Sequence, residues 1–142
     1  MTGIARLVNA AAVFLTPDIR RTAAYYRDVF GFTVVEHYDT EEVFAAIYRD
    51  DVEIILVQAR HGDVQSNTAR HGAGFDIYLD PDTVEGVDSM HEELKAKGAR
   101  IAREPAMTAY GSYEFVVEDV DGRLIGIGRI RDRGTFFRGA VE

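Results

Sequence analysis

The residues of this chain that could bind a metal or transfer a proton are scattered along it. The candidates are His37, Glu42, Glu53, His61, His71, Asp76, His91 and Glu114. A protein zinc or iron site needs about three ligands in a fixed geometry. The chain contains no HExxH helix that would supply two of them. Any metal site would therefore have to be rebuilt from side chains that the fold brings together.

Other catalytic chemistries find less support. The absence of cysteine excludes disulfides, thiolate metal sites and cysteine nucleophiles. There is also no glycine-rich phosphate loop and no nucleophile elbow. The stretch Asp119–Gly122 resembles a calcium loop only faintly, and a hairpin turn explains it better. Two Arg-His steps, at Arg60-His61 and Arg70-His71, either hold an anionic group or belong to a solvated connection.

A helix predicted within Thr16–Phe32 organises the first half of the chain. Thr16 is expected to cap its start, with Pro17 next and Asp18 in the first turn. Gly31 is expected to end it in a left-handed conformation. The predicted buried face carries Ile19, Ala23, Tyr26 and Phe30.

The pattern around this helix occurs twice. The apolar run 10–15, expected to be a strand buried on both faces, precedes the helix, and three strands follow it, at 32–38, 43–48 and 52–57. Leu79-Asp80-Pro81-Asp82 then repeats Leu15-Thr16-Pro17-Asp18. A second helix, with Val84, Val87, Met90 and Leu94 on one face, ends at Gly98. The strands predicted around it are 75–79, 99–103, 112–118 and 123–130. The sequence thus predicts a single α+β domain of two βαβββ modules, residues 9–58 and 74–130, joined by a linker, 59–73, and followed by a tail, 131–142.

Composition and charge limit the partners. The 142 residues are 46% hydrophobic, as expected of a globular protein. The net charge of −8 argues against nucleic acid and is compatible with a cationic ligand, although an acidic surface also simply favours solubility. The apolar N-terminal run is too short to span a bilayer and lacks a signal-peptide layout, so we expect a cytoplasmic protein. The Phe136-Phe137 tail could pack on the core or on a second subunit.

Two local motifs resemble those of the vicinal oxygen chelate superfamily, which includes glyoxalases, bleomycin-resistance proteins and extradiol dioxygenases. They are Ala24–Phe32, AYYRDVFGF, and Glu118–Ile125, EDVDGRLI. The resemblance covers about residues 9–130. It implies that the two modules form an open, cleft-bearing barrel, in which the enzymes of the family hold a divalent metal.

The resemblance also implies where metal ligands would stand. By counting from the motifs, these positions fall at Ala11, Leu56, Gly74 and Gly126, and none of these side chains coordinates a metal. We therefore predict no cofactor and no catalytic residue. The alternative is a lyase, isomerase or oxygenase of the same superfamily with an atypical divalent-metal site.

Three stretches resemble the bleomycin-resistance branch, which sequesters a cationic antibiotic without catalysis. They are Phe44–Val52, Glu104–Thr108 and Glu114-Phe115. By this resemblance we predict a homodimer that binds a cationic or amphipathic small molecule against aromatic walls and negative charge. A protein-interaction subunit is a third possibility. The predicted ligand-binding residues are Phe44, Leu56, Gln58, Asp76, Tyr78, Tyr113, Glu114 and Phe115.

Overall fold

The computed structural model describes residues 3–134, which form eight strands and three helices. The predicted α+β class and the duplicated order of strand, helix and three strands are confirmed. A short additional helix lies within the segment predicted as a linker. The elements are β1 (Ala12–Thr16), α1 (Ile19–Asp28), β2 (Thr33–His37), β3 (Phe44–Arg49), β4 (Val52–Gln58), α2 (Asn67–His71), β5 (Ile77–Leu79), α3 (Val84–Ala96), β6 (Arg100–Met107), β7 (Ser112–Glu118) and β8 (Leu124–Ile130).

The strands form two mixed sheets with the same topology. The first sheet has the order β1-β4-β3-β2 and the second β5-β8-β7-β6. In each sheet the first strand of the repeat pairs in parallel with the last, and the remaining pairs are antiparallel. The chain divides into two compact units between Asp63 and Val64, so that each unit contains one sheet.

In the first unit, α1 covers one face of the sheet. The ring of Tyr26 on α1 lies 6.3 Å from that of Phe14 on β1, and Tyr26 and Phe30 are fully buried. Leu56 and Ala45 stand in register with Phe14 on this face and are also fully buried. The prediction that β1 is buried on both faces is wrong, because Val13 and Leu15 remain 59% and 55% exposed. Only the face of β1 beneath the helix is covered.

The start of α1 also differs from the prediction. Asp18 caps the helix, its Oδ1 accepting the backbone N–H of Arg21 at 3.2 Å. The Thr16 hydroxyl instead bonds that of Thr22 at 2.7 Å, and both residues are fully buried. In the second unit the cap is Thr83, not a residue before Pro81. In both repeats the cap thus follows the proline.

In the second unit, α3 covers one face of the sheet with Val87 and Leu94, both fully buried. Phe115, Ile125 and Ile127 on the strands are buried as well. β6 runs four residues beyond the predicted strand end and has two register shifts against β7. Among residues 3–134, no helix combines the length and apolar character that crossing a membrane requires. Phe136-Phe137, singled out from the sequence, lies outside the described residues.

Candidate functional site

Strand alternation divides the predicted ligand-binding residues of the second unit between two faces. Phe115 and Tyr113 face α3: the Phe115 ring lies 5.2 Å from that of His91, and the Tyr113 hydroxyl donates to Asp88 at 2.7 Å. Tyr78 and Glu114 lie on the opposite face, which we call the far face of the second sheet and define by Tyr78, Ser112, Glu114, Gly126 and Gly128.

A buried carboxylate lies at the centre of the far face. Glu114 is only 1% exposed. Its Oε1 accepts the hydroxyl of Tyr78 at 2.9 Å and that of Tyr110 at 2.6 Å, while its Oε2 accepts from Nη2 of Arg103 at 2.9 Å. The Ser112 hydroxyl bonds the Tyr78 hydroxyl in turn. We call these five residues the Glu114 cluster. Three donors satisfy a charge that would otherwise be costly to bury.

The two phenols of the cluster remain protonated at ordinary pH. Burial raises the pKa of Tyr78; its bond to Ser112 opposes this rise and its bond to Glu114 adds to it. Burial and the bond to Glu114 likewise raise the pKa of Tyr110. Both hydroxyls therefore act as hydrogen-bond donors to Glu114, not as bases.

Two glycines of β8 make room for this cluster. A Cβ at Gly128 would lie 2.4 Å from both Cβ of Glu114 and the Tyr78 hydroxyl, and one at Gly126 would lie 2.8 Å from Cδ2 of Tyr78. The same Cβ at Gly126 would lie 3.1 Å from Cδ2 of Phe75. The Tyr78 ring thus crosses β8 over bare backbone to reach Glu114 on β7.

An irregular edge strand brings Arg103 to the cluster. β6 shifts register against β7 on both sides of Arg103, between Ile101 and Arg103 and again between Arg103 and Ala106. Such bulges redirect side chains. The Arg103 side chain lies over Glu114 yet is 56% exposed. The cluster therefore has a buried anion at its base and an accessible cation at its rim.

The predicted residues of the first unit have different positions. Phe44 lies on the sheet face opposite α1 and stacks on His37 at 4.6 Å. Leu56 packs in the core beneath α1. Gln58 anchors the start of that helix, since its Oε1 accepts the N–H of Ile19 at 3.0 Å and its Nε2 donates to the carbonyl of Pro17 at 2.7 Å. Packing and helix anchoring account for Leu56 and Gln58 without a ligand.

Asp76, the other acidic residue among the predicted ligand-binding residues, has both carboxylate oxygens bonded to backbone N–H groups. Its Oδ1 accepts the N–H of Asn67 at 3.0 Å and its Oδ2 that of Leu124 at 2.8 Å. These bonds tie the start of β8 to the start of α2. Asp76 thus has a structural role that strand alternation did not indicate.

The positions that the resemblance assigns to metal ligands do not form a donor set. Leu56 lies in the core, and the Tyr78 and Phe75 rings fill the space that a side chain at Gly126 would need. Among residues 3–134, no three histidine or acidic side chains are grouped so that they could hold a metal ion. Nε2 of His91 and Oε2 of Glu104 form one pair of potential ligands, 2.7 Å apart.

Comparison with known proteins identifies the family. The model of the glyoxalase/bleomycin resistance protein/dioxygenase superfamily matches residues 6–127. No curated protein matches the chain. The chain belongs to this superfamily, as the two sequence motifs predicted.

Solved structures share the fold at low identity. UcmS2 is 18% identical with a TM-score of 0.67, the match covering 87% of this chain and 98% of that one. TioX from Micromonospora sp. ML1 is 17% identical with a TM-score of 0.66 and the same coverage. A glyoxalase/bleomycin resistance protein/dioxygenase from Nocardioides is 15% identical with a TM-score of 0.68, covering 93% of this chain and 89% of that one. These likenesses establish the fold and no activity.

Proposed function

We propose that the protein binds a cationic or amphipathic small molecule without a metal, at the Glu114 cluster, and sequesters it. The observation that carries this proposal is the buried Glu114 carboxylate, which accepts two phenol hydroxyls and pairs with the exposed side chain of Arg103. Aromatic faces and a fixed negative charge together favour planar cations. The net charge of −8 adds a long-range attraction for such ligands.

The metal-independent part of the proposal is supported by the filled Gly126 position and the core position of Leu56. It is tested by elemental analysis of protein purified without chelators. Stoichiometric zinc, iron, nickel or manganese would instead favour the alternative, a metal-dependent lyase, isomerase or oxygenase.

Binding is tested by calorimetry with two ring systems of similar shape. 9-Aminoacridine is cationic at neutral pH, whereas acridine is largely neutral. We expect 9-aminoacridine and metal-free bleomycin to bind. Glu114→Gln should lower the affinity for 9-aminoacridine by about tenfold, which corresponds to the loss of one hydrogen bond to a charged group. The affinity for acridine should change little.

A matched control removes a second carboxylate from the same strand. Glu118 lies on the same face of β7 as Glu114, and Arg100 on β6 pairs with it at 3.2 Å. Glu118→Gln changes the net charge equally, so it should leave the affinity for 9-aminoacridine within about twofold of the wild type, as expected for a surface charge. Equal losses in the two variants would count against Glu114 as the binding charge.

We further propose that the protein is a homodimer. Ile4, Leu7 and Val8 are exposed ahead of the edge strand β1, which itself exposes Val13 and Leu15. Exposed apolar patches beside an unpaired strand edge are typical of association surfaces. Sedimentation velocity should give twice the mass of the chain, 15.8 kDa. A monomer at micromolar concentration would contradict this.

A further inference from the structure

We propose that Arg103 is an internal counterion that occupies the place of the ligand's cationic group and is displaced when the ligand binds. This inference rests on the proposed function and specifies how the Glu114 cluster works. It concerns one oxygen, Oε2 of Glu114, and one side chain that can leave it.

The two oxygens of Glu114 have different partners. Oε1 accepts the hydroxyl of Tyr78, which lies on β5 and is also bonded to Ser112, and the hydroxyl of Tyr110, which lies in the turn between β6 and β7. Among the described residues, the hydrogen bond to Oε2 comes from Arg103. An ammonium or iminium group of a ligand could therefore bind Oε2 by displacing one side chain, Arg103.

Exposure indicates which partner moves. Glu114 is 1% exposed and Arg103 is 56% exposed. A released guanidinium regains full hydration, whereas the carboxylate would remain buried without its cation. Exchange of one cation for another keeps the buried charge paired throughout. Arg103 also lies between two register shifts on an edge strand, where few neighbouring strands constrain it.

The exchange reduces the apparent affinity for the ligand. When only a fraction of the protein has Oε2 available, the apparent dissociation constant rises by the reciprocal of that fraction. Removing the arginine charge should therefore tighten binding of a cation. Arg103→Met keeps the apolar stem, and Arg103→Gln keeps a neutral N–H donor for Oε2.

The test is calorimetry with 9-aminoacridine and acridine on the wild type and on Arg103→Met, Arg103→Gln and the double variant Arg103→Met/Glu114→Gln. We expect 9-aminoacridine to bind about tenfold tighter to both single variants, the gain being lost in the double variant. Acridine should bind all four proteins alike. Arg100→Met removes the same charge from the same strand, and its affinity for 9-aminoacridine should rise by less than about twofold.

The outcomes separate this inference from the proposed function. If the wild type binds 9-aminoacridine through Glu114 but neither Arg103 variant binds it tighter, the counterion role is wrong and the proposed function stands. A gain in Arg100→Met equal to that in Arg103→Met also overturns it, because the effect would then be general charge. If neither the wild type nor a folded Arg103 variant binds either compound, both ideas fail.

Discussion

The Glu114 cluster requires a glycine at position 128, because any side chain there would collide with it. A methyl group there would meet Cβ of Glu114 at 2.4 Å and the carbonyl oxygen of Tyr113 at 2.9 Å, and the second contact is backbone that cannot rotate away. We expect Gly128→Ala to lower the free energy of unfolding by about 1–3 kcal/mol, the usual cost of overpacking. Urea unfolding measures it, with Gly3→Ala as a control at a position open to solvent. A change within about 0.5 kcal/mol would show that the strands separate easily.

We expect Tyr78 to make the stability of the protein depend on pH in the alkaline range. Burial, opposed by the bond to Ser112 and reinforced by the bond to Glu114, raises the pKa of Tyr78 in the folded state. An unfolded chain has tyrosine pKa values near 10. Above about pH 10 the unfolded state therefore releases a proton that the folded state retains, and stability falls as pH rises.

We expect the stability of the wild type to fall more steeply with pH above about 10 than that of Tyr78→Phe, which has no proton to lose at this position. Urea unfolding at a series of pH values gives the two slopes. Parallel slopes would mean that Tyr78 titrates normally in the folded protein.

At the scale of the element, the β7–β8 turn contains the most buried ion pairs described here. Arg123 is 4% exposed, and its Nη1 lies 3.1 Å from Oδ2 of Asp119 and 3.1 Å from Oδ2 of Asp121. Oδ1 of Asp119 accepts two backbone N–H groups of the turn. The faint calcium-loop pattern is thus occupied by a guanidinium, and the predicted hairpin turn is confirmed.

Removing this guanidinium should destabilise the protein strongly. Arg123→Met removes the guanidinium that pairs with these two buried carboxylates, and we expect a loss of about 3–5 kcal/mol in unfolding free energy. Arg100→Met breaks an exposed arginine–glutamate pair and should cost at most about 1 kcal/mol. Thermal and urea unfolding of the two variants provide the comparison. Similar small losses in both would show that water reaches the turn.

The sequence indicated the helices and strands more directly than it indicated which side chains form the Glu114 cluster. Period-two and helical patterns located β7 without error and the other strands within a few residues, because local alternation records which face is buried. Arg103 was not among the predicted ligand-binding residues, since a bulge shifts the alternation by one residue and leaves no local signal. Tyr110 was not among them either. Leu56 was placed by counting from a motif, which fixes position along a strand but not the face a helix covers.

For the whole molecule, we expect net charge and the charge of Glu114 to make separable contributions to the proposed binding. The charge of −8 acts over distances that salt screens, about 30 Å at 0.01 M and about 8 Å at 0.15 M ionic strength. Glu114 acts at contact distance inside the protein, where screening is weak.

We therefore expect the affinity for 9-aminoacridine to fall several-fold between these two salt concentrations in the wild type. The salt dependence should persist in Glu114→Gln, at a weaker overall affinity, because the remaining net charge is still strongly negative. Acridine serves as the neutral control. If the salt dependence disappears with Glu114, the surface charge contributes nothing to attraction.

The Tyr78 ring over Gly126 has a consequence for how this chain could change its chemistry. A glutamate installed at position 126 to provide a metal ligand would collide with that ring, since its Cβ alone would lie 2.8 Å from Cδ2 of Tyr78. Shortening Tyr78 to make space would remove one of the two phenols that hold Glu114. We therefore expect Gly126→Glu to displace the Tyr78 ring and to disturb the Glu114 cluster, so that a carboxylate at position 126 and an intact cluster exclude one another.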